Sequence, residues 1–278
     1  MNVSVIGAGS WGTAIANLMA ECGHTVKLWA YEPDVVTEIN ETRENKSFLS
    51  GFQLHEHLTA SNDLIEVVSD AEMVFSVSPS HVVREVMGLA GPHIPQNVPI
   101  VSASKGIENE TLMTVSEILE DVLPMRCHPF LAYLSGPSFA KEVVQKMPTA
   151  VVVASYSEKL AKAVQSAISV PYFRVYTSTD VHGVEIGGAL KNVIAIAVGV
   201  AVGMGFGDNT RAGMITRGLN EITRLAMRQG ANPLTMMGLA GMGDLVLTCS
   251  GPLSRNRSVR ELLGEGHSID EILGNMRM

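Results

Sequence analysis

Three glycines near the start of the chain, Gly7, Gly9 and Gly12, constrain its fold more than any other feature. They follow a short β-branched run, residues 3–6, and open a stretch, residues 12–22, whose apolar spacing predicts a helix. In a G-x-G-x-x-G turn between strand and helix, the first glycine permits the tight bend. The second lets a pyrophosphate approach the backbone, and the third lets helix and strand pack closely. Free N–H groups at the helix start then face the anion. Glycines alone are weak evidence; the strand before and the helix after make them a dinucleotide-binding fingerprint.

The end of the second strand should meet the adenosine ribose, where an acidic residue about 20 positions past the last glycine accepts from the 2′-hydroxyl. Glu32 stands there, preceded by Tyr31, and the first arginine along the chain is Arg43. The pattern leans toward NAD or toward weak discrimination. Glu32 as a solvated loop charge is the plainer alternative.

The rest of the first half alternates in the same way. Residues 3–6, 25–29, 73–77, 100–103 and 131–134 read as short buried strands, bounded by Gly, Pro or Ser. Residues 12–22, 33–40, 82–90 and 111–122 between them read as helices. Strand–helix alternation predicts a parallel sheet with helices on both faces. Residues 150–154 and 172–176 extend the sheet, with a helix at 158–169 between them.

Strand signals stop after Thr179, and residues 184–204, 210–229, 233–237, 256–263 and 269–273 all look helical. The expectation is an α/β Rossmann-type domain over residues 1–178 followed by an all-α domain over residues 179–278. The apolar run 193–205 is shorter than the ~20 residues of a membrane span and reads as a buried core helix.

Net charge narrows the partners. Twenty basic residues stand against 28 acidic ones, giving −8, which argues against nucleic acid, since phosphate backbones need basic surfaces. Cys22, Cys127 and Cys249 form no CxxC pair, and the histidines show no ligand spacing, so the expectation is reduced thiols and no metal. A strand begins almost at once, with no basic segment leading an apolar one, so a cytoplasmic protein is expected.

Chemistry is concentrated elsewhere. Glu185 to Ala197 reads EIGGALKNVIAIA, which sets one cation, Lys191, in an apolar helical run. Such a charge needs a partner or a task. Structural pairing with Glu185 or another carboxylate is one possibility. A buried lysine suited to proton transfer is the other. Lys105, in SASKG, follows a predicted strand and so reaches the sheet's carboxyl edge, where ligands bind in open α/β sheets. Gly136 and Ser138, in SGPSFA, follow the next strand; Ser138 could equally cap a helix starting at Phe139. Asp244 in GMGDL and the cluster Ser254, Arg255, Asn256, Arg257 are polar islands among helices, readable as a cap and a solvated face, or as a phosphate clamp. His81 reads as a turn residue and Trp11 as packing near a cofactor.

At these residues the chain resembles the NAD(P)-dependent glycerol-3-phosphate dehydrogenases of bacterial type. GAGSWGTAIA, SHVVRE, SASKGIE, LSGPSFAKEV, VEIGGALKNVIAIAVGV, ITRGLNEI, GLAGMGDLVLTC and SRNR occur in family order over residues 2–270. Any one of them is unremarkable; together they are highly specific. The resemblance implies that Lys191 donates and accepts the proton and touches substrate, and that Lys105 lies between cofactor and substrate. It places Gly136 and Ser138 against the glycerol phosphate and Ala140 against the cofactor. Asp244, Ser254, Arg255 and Asn256 would line the substrate pocket, with Arg255 also reaching the cofactor. Ser10, Trp11 and Tyr31 would contact the dinucleotide, alongside Gly7, Gly9 and Gly12. The family often has a basic residue where Tyr31 stands, and its members continue for several helices past position 278.

The reaction implied is reversible reduction of dihydroxyacetone phosphate to sn-glycerol 3-phosphate with NADP or NAD as cofactor, by a cytoplasmic homodimer feeding phospholipid synthesis. Two rivals fit the residues taken without the resemblance: a lysine-dependent hydroxy-acid dehydrogenase and a non-catalytic dinucleotide sensor.

Overall fold

The computed structural model describes residues 1–250 together with 263, 264, 266 and 268. The chain divides into two compact units, Met1–Val181 and His182–Met278.

The first unit is built on one eight-stranded sheet. Its strands are β1 (Asn2–Ile6), β2 (Thr25–Trp29), β3 (Leu58–Ser61), β4 (Met73–Ser76), β5 (Ile100–Ser102), β6 (Leu131–Ser135), β7 (Thr149–Ala154) and β8 (Phe173–Ser178). They lie in the order β3-β2-β1-β4-β5-β6-β7-β8. The chain reverses direction across the sheet between β1 and β4, the switch point at which open α/β sheets bind ligands. The helices are α1 (Ser10–Glu21), α2 (Pro33–Thr42), α3 (Leu64–Val68), α4 (Val83–Ala90), α5 (Val115–Val122), α6 (Ala140–Val144) and α7 (Glu158–Ile168). Val3, Val5, Phe75, Val101 and Leu134 of the sheet bury one face against Ile15 and Met19 of α1 and Leu160 and Val164 of α7. Continuous apolar strands of this kind are what a sheet covered on both faces requires.

Three features depart from the sequence expectation. The sheet is not wholly parallel, because β7 runs antiparallel to β6. The link between them carries only the five-residue α6, too short to return the chain to the sheet's other end. The helix expected over 111–122 begins at Val115, where Thr114 and Glu117 form a capping box. Edge strand β3 and the short α3, capped by Asp63, went unread because four- and five-residue elements show too little periodicity.

In the second unit the described helices are α8 (Val181–Gly203), α9 (Asp208–Arg228), α10 (Pro233–Met236) and α11 (Asp244–Ser250), with a π-turn over Leu239–Gly243. Ile186, Ala195 and Val198 of α8 pack with Ile222 and Ala226 of α9, Met236 and Leu245. Helix α8 corrects the short-run reading: it is 23 residues long, and by length and composition alone could cross a bilayer. It is not a membrane span. Its polar residues Glu185, Lys191 and Asn192 interrupt the apolar surface, and its buried stripe is a packed core. Nor is it buried all round, since Val193 and Ile196 are exposed. The helices expected over 256–263 and 269–273 lie outside the described residues, apart from Leu263.

Candidate active site

Two groups of the expected residues are assembled, one within each unit. In the first unit every ligand-facing loop leaves the carboxyl end of a strand from β1 to β6, all mutually parallel.

The glycine turn joins β1 to α1. Gly7 has φ +112°, and a Cβ there would stand 3.0 Å from the Val77 carbonyl oxygen. A Cβ on Gly12 would stand 1.8 Å from the Gly7 carbonyl oxygen, so only glycine lets α1 seat on the turn. Gly9 differs: no atom of the described residues lies within 4 Å of its would-be Cβ. Internal packing therefore does not demand glycine at position 9, whereas a dinucleotide approaching the backbone does. Helix α1 has neither a capping side chain nor an acidic residue in its first turn among the described residues, which leaves its leading N–H groups for an anion. These residues fit a dinucleotide.

Ser10 donates to the Phe48 carbonyl oxygen at 2.5 Å, and Trp11 is part-buried against the core. Asn45, fully buried, was not singled out from the sequence. Its Nδ2 donates to the Ala8 carbonyl oxygen (2.9 Å) and to Thr13 Oγ1 (2.8 Å), bracing the turn from a loop far along the chain. An asparagine in a polar stretch carries no local signal of such a role. At the end of β2, Tyr31 is 78% exposed and meets Trp29 edge-on at 6.4 Å between ring centroids. Glu32 occupies the N-cap of α2, before Pro33.

Lys105 lies in the loop after β5 and Gly136 in the loop after β6. Lys105 Nζ donates to the Gly136 carbonyl oxygen at 3.3 Å. Ser138 Oγ donates to the same oxygen at 3.2 Å. Ser138 is not a helix cap: α6 starts at Ala140 with Phe139 at its N-cap. Gly136, at φ +127°, presses on β7, where a Cβ would stand 3.0 Å from Val151 Cα. His81 sits in a 3-10 turn, Ser80–Val82.

In the second unit Lys191 Nζ donates to Asp244 Oδ1. The lysine side chain is 12% exposed and the carboxylate 2%. The sequence left the lysine's partner open between Glu185 and another acid; the structure pairs it with Asp244, at the start of α11. A buried charge pair gains little stability over apolar packing of the same volume. Ser254, Arg255 and Asn256, like Arg257, lie outside the described residues.

Comparison with known proteins gives the same picture. The family model for the N-terminal part of NAD-dependent glycerol-3-phosphate dehydrogenase matches residues 2–161, and that for the C-terminal part matches residues 180–278. The glycerol-3-phosphate dehydrogenase (NAD(P)+) of Citrifermentans bemidjiense is 58% identical over 99% of this chain and 82% of its own length. That of Myxococcus xanthus is 56% identical over 100% of this chain and 83% of its own. The crystal structure of glycerol-3-phosphate dehydrogenase from Coxiella burnetii superposes with a TM-score of 0.92 at 37% identity, covering 98% of this chain and 83% of that one. The glycine turn and these matches place the chain in the bacterial branch of the NAD-dependent glycerol-3-phosphate dehydrogenase family.

Proposed function

We propose that this chain reversibly reduces dihydroxyacetone phosphate to sn-glycerol 3-phosphate, with NADPH or NADH as cofactor. The observation that carries the reading is the buried Lys191–Asp244 pair. When bound, the reduced nicotinamide supplies a hydride to C2 of the triose. Negative charge then develops on the C2 oxygen, and Lys191 is the proton donor to it. Asp244 keeps the ammonium oriented by accepting one of its N–H bonds. In the oxidative direction the amine takes the proton back.

Lys105, its ammonium steadied by the Gly136 carbonyl, has the role the family resemblance gives it, contact with cofactor and substrate. Gly136 and Ser138 contribute the contacts to the glycerol phosphate, and Ala140, Ser10, Trp11 and Tyr31 those to the cofactor. Ser254, Arg255 and Asn256 anchor the phosphate, a guanidinium being suited to two parallel bonds with its oxygens. These assignments extend residue by residue from the family resemblance. The same reading makes the protein a cytoplasmic homodimer acting on a small phosphorylated substrate and supplying glycerophospholipid synthesis.

The test is turnover of dihydroxyacetone phosphate, followed by nicotinamide absorbance with each cofactor in turn. Turnover of a 2-keto acid in preference to the triose phosphate would favour a hydroxy-acid dehydrogenase. Dinucleotide binding without oxidation by either substrate would favour a sensor.

A further inference from the structure

The loop that carries Lys105 is gripped by the β4–α4 connection. Its residues alternate: the even positions face the β4–α4 connection, and Lys105 projects to Gly136 beyond β6. Ser104 Oγ donates to the Ser78 carbonyl oxygen at 2.5 Å. Gly106 presses on Ser80, whose Oγ would stand 2.5 Å from an added Cβ. Glu108 receives both arms of the Arg84 guanidinium, from Nε to Oε1 and from Nη2 to Oε2, each at 2.9 Å. Ser80 and Arg84 are four residues apart, one turn on the incoming 3-10 turn and α4. Gly106, at φ +149°, and Glu108 are two residues apart. Lys105 thus stands between two anchored residues, Ser104 on the Ser78 carbonyl and Glu108 on Arg84.

The grip has further support. Arg84 Nη1 donates to Asp121 on α5, and Glu108 also accepts from Thr111 Oγ1. The Glu108 N–H donates to the Met113 carbonyl oxygen at 2.9 Å, and Ile107 pairs with Thr114 across the loop's neck. A bidentate guanidinium–carboxylate pair fixes direction as well as distance, which a lysine in its place would not. The paired charges hold Glu108 below its ordinary carboxylate range, chiefly through the hydrogen bond from Arg84.

From this geometry we infer that Arg84 is a positioning residue: through Glu108 it sets where Lys105 stands. The inference rests on the proposed role of Lys105. A clamp that fixes a reacting group contributes through placement, and misplacement by about 1 Å can cost on the order of a hundredfold in rate.

The test uses the full chain and substitutions at three positions, Arg84, Lys105 and Glu108. Arg84→Met is expected to lower kcat by roughly ten- to a hundredfold while cofactor Kd changes less than about twofold. In a Lys105→Met background the same change is expected to add less than about twofold, because the group it positions is already gone. The exchange Arg84→Glu with Glu108→Arg is expected to recover part of kcat. Amide hydrogen exchange over residues 103–108 is expected to speed up in Arg84→Met with β4 and β5 unchanged, a readout independent of turnover. An undiminished kcat in Arg84→Met, or an equal loss with and without Lys105, would overturn the inference. If Arg84→Met fails to fold, Arg84→Lys decides: wild-type kcat and exchange in that variant would overturn it too. Absence of triose phosphate turnover in the wild-type chain would instead remove the functional reading.

Discussion

Gly187 lies so close to Ala240 that a Cβ on the glycine would stand 2.6 Å from the Ala240 carbonyl oxygen. Gly187 is one helical turn ahead of Lys191 on α8, and Ala240 is four residues ahead of Asp244. The contact therefore sets the distance between the two charged groups. Its partner Gly241 is as tightly held, since a Cβ there would stand 2.2 Å from the Met236 carbonyl oxygen. This is the physical content of two short glycine-containing segments that look unrelated in the sequence. Gly187→Ala must push the π-turn away from α8. The expected cost is about 1–3 kcal/mol of stability from overpacking. A drop in kcat should accompany it, with KM little changed. Thermal unfolding and steady-state kinetics on the variant check both.

Lys191 and Asp244 should respond differently to truncation. Lys191→Ala removes the proton donor, and turnover is expected to fall by roughly a hundred- to ten-thousandfold with cofactor binding intact. Asp244→Leu leaves a buried ammonium without the carboxylate it now bonds, and breaking such a pair costs about 3–5 kcal/mol. The double variant should be more stable than Asp244→Leu alone, because the stranded charge is gone. A double variant no more stable than that single one would show that the pair is not the electrostatic unit described.

The glycine turn makes a sharper contrast. Gly9→Ala meets open space at a φ of −64°, which alanine adopts freely, so stability should change by less than about 0.5 kcal/mol. Cofactor affinity should fall, because the methyl occupies the approach to the backbone. Gly12→Ala meets the Gly7 carbonyl oxygen at 1.8 Å, and the expected loss exceeds about 4 kcal/mol. Fluorescence titration with the dinucleotide, alongside urea unfolding, separates the two. Equal effects at both positions would mean that Gly9 serves packing rather than ligand approach.

These contrasts also show what could be read from the chain alone. All strands of the first unit except β3 were legible because each is a short apolar run between Gly, Pro or Ser, and burial on both sheet faces demands that pattern. The end of Gly12's helix and the start of Lys191's helix were legible within a few residues for similar reasons. Contacts between distant positions were not. Nothing local links Asn45 to Thr13, or Arg84 to Glu108, or names Asp244 as the acid that Lys191 bonds. The reversal of β7 was hidden for the same reason: strand direction depends on the length of the connecting element, and five-residue α6 leaves almost no signal. The glycines could be flagged, yet only packing distinguishes Gly12, which fills a contact, from Gly9, which leaves one open.

Cofactor choice should turn on Tyr31. Its ring is exposed, and Trp29 beside it is fixed by its Nε1 bond to the Asn62 carbonyl oxygen at 3.1 Å. The guanidinium of Arg43 is committed to the Leu58 carbonyl oxygen. Tyr31→Arg adds a cation able to take two bonds from a 2′-phosphate. NADPH is expected to bind about tenfold more tightly, some 1.4 kcal/mol, with NADH affinity little altered. Equal gains for both cofactors would place the ribose elsewhere.

Cys22 offers a test by pH. Burial first, and then the charge of neighbouring Glu21, push its thiol from 9.0 up to about 11. Tyr172, whose hydroxyl donates to Glu21 Oε2 at 2.5 Å, is moved upward in the same way, by burial and by that bond. Both groups keep their protons in the folded chain at a pH where the unfolded chain has begun to release them. The Cys22 contribution is whole below the unfolded value of 9.0 and is lost as pH rises through about 11, whereas that of Tyr172 persists to higher pH. Stability should therefore fall across that interval, and less steeply in Cys22→Ala. At pH 8 only roughly one Cys22 in a thousand is thiolate, so iodoacetamide should label it far more slowly in the native chain than in urea. Labelling at the same rate in both would show that the thiol is neither screened by its neighbours nor held protonated by them.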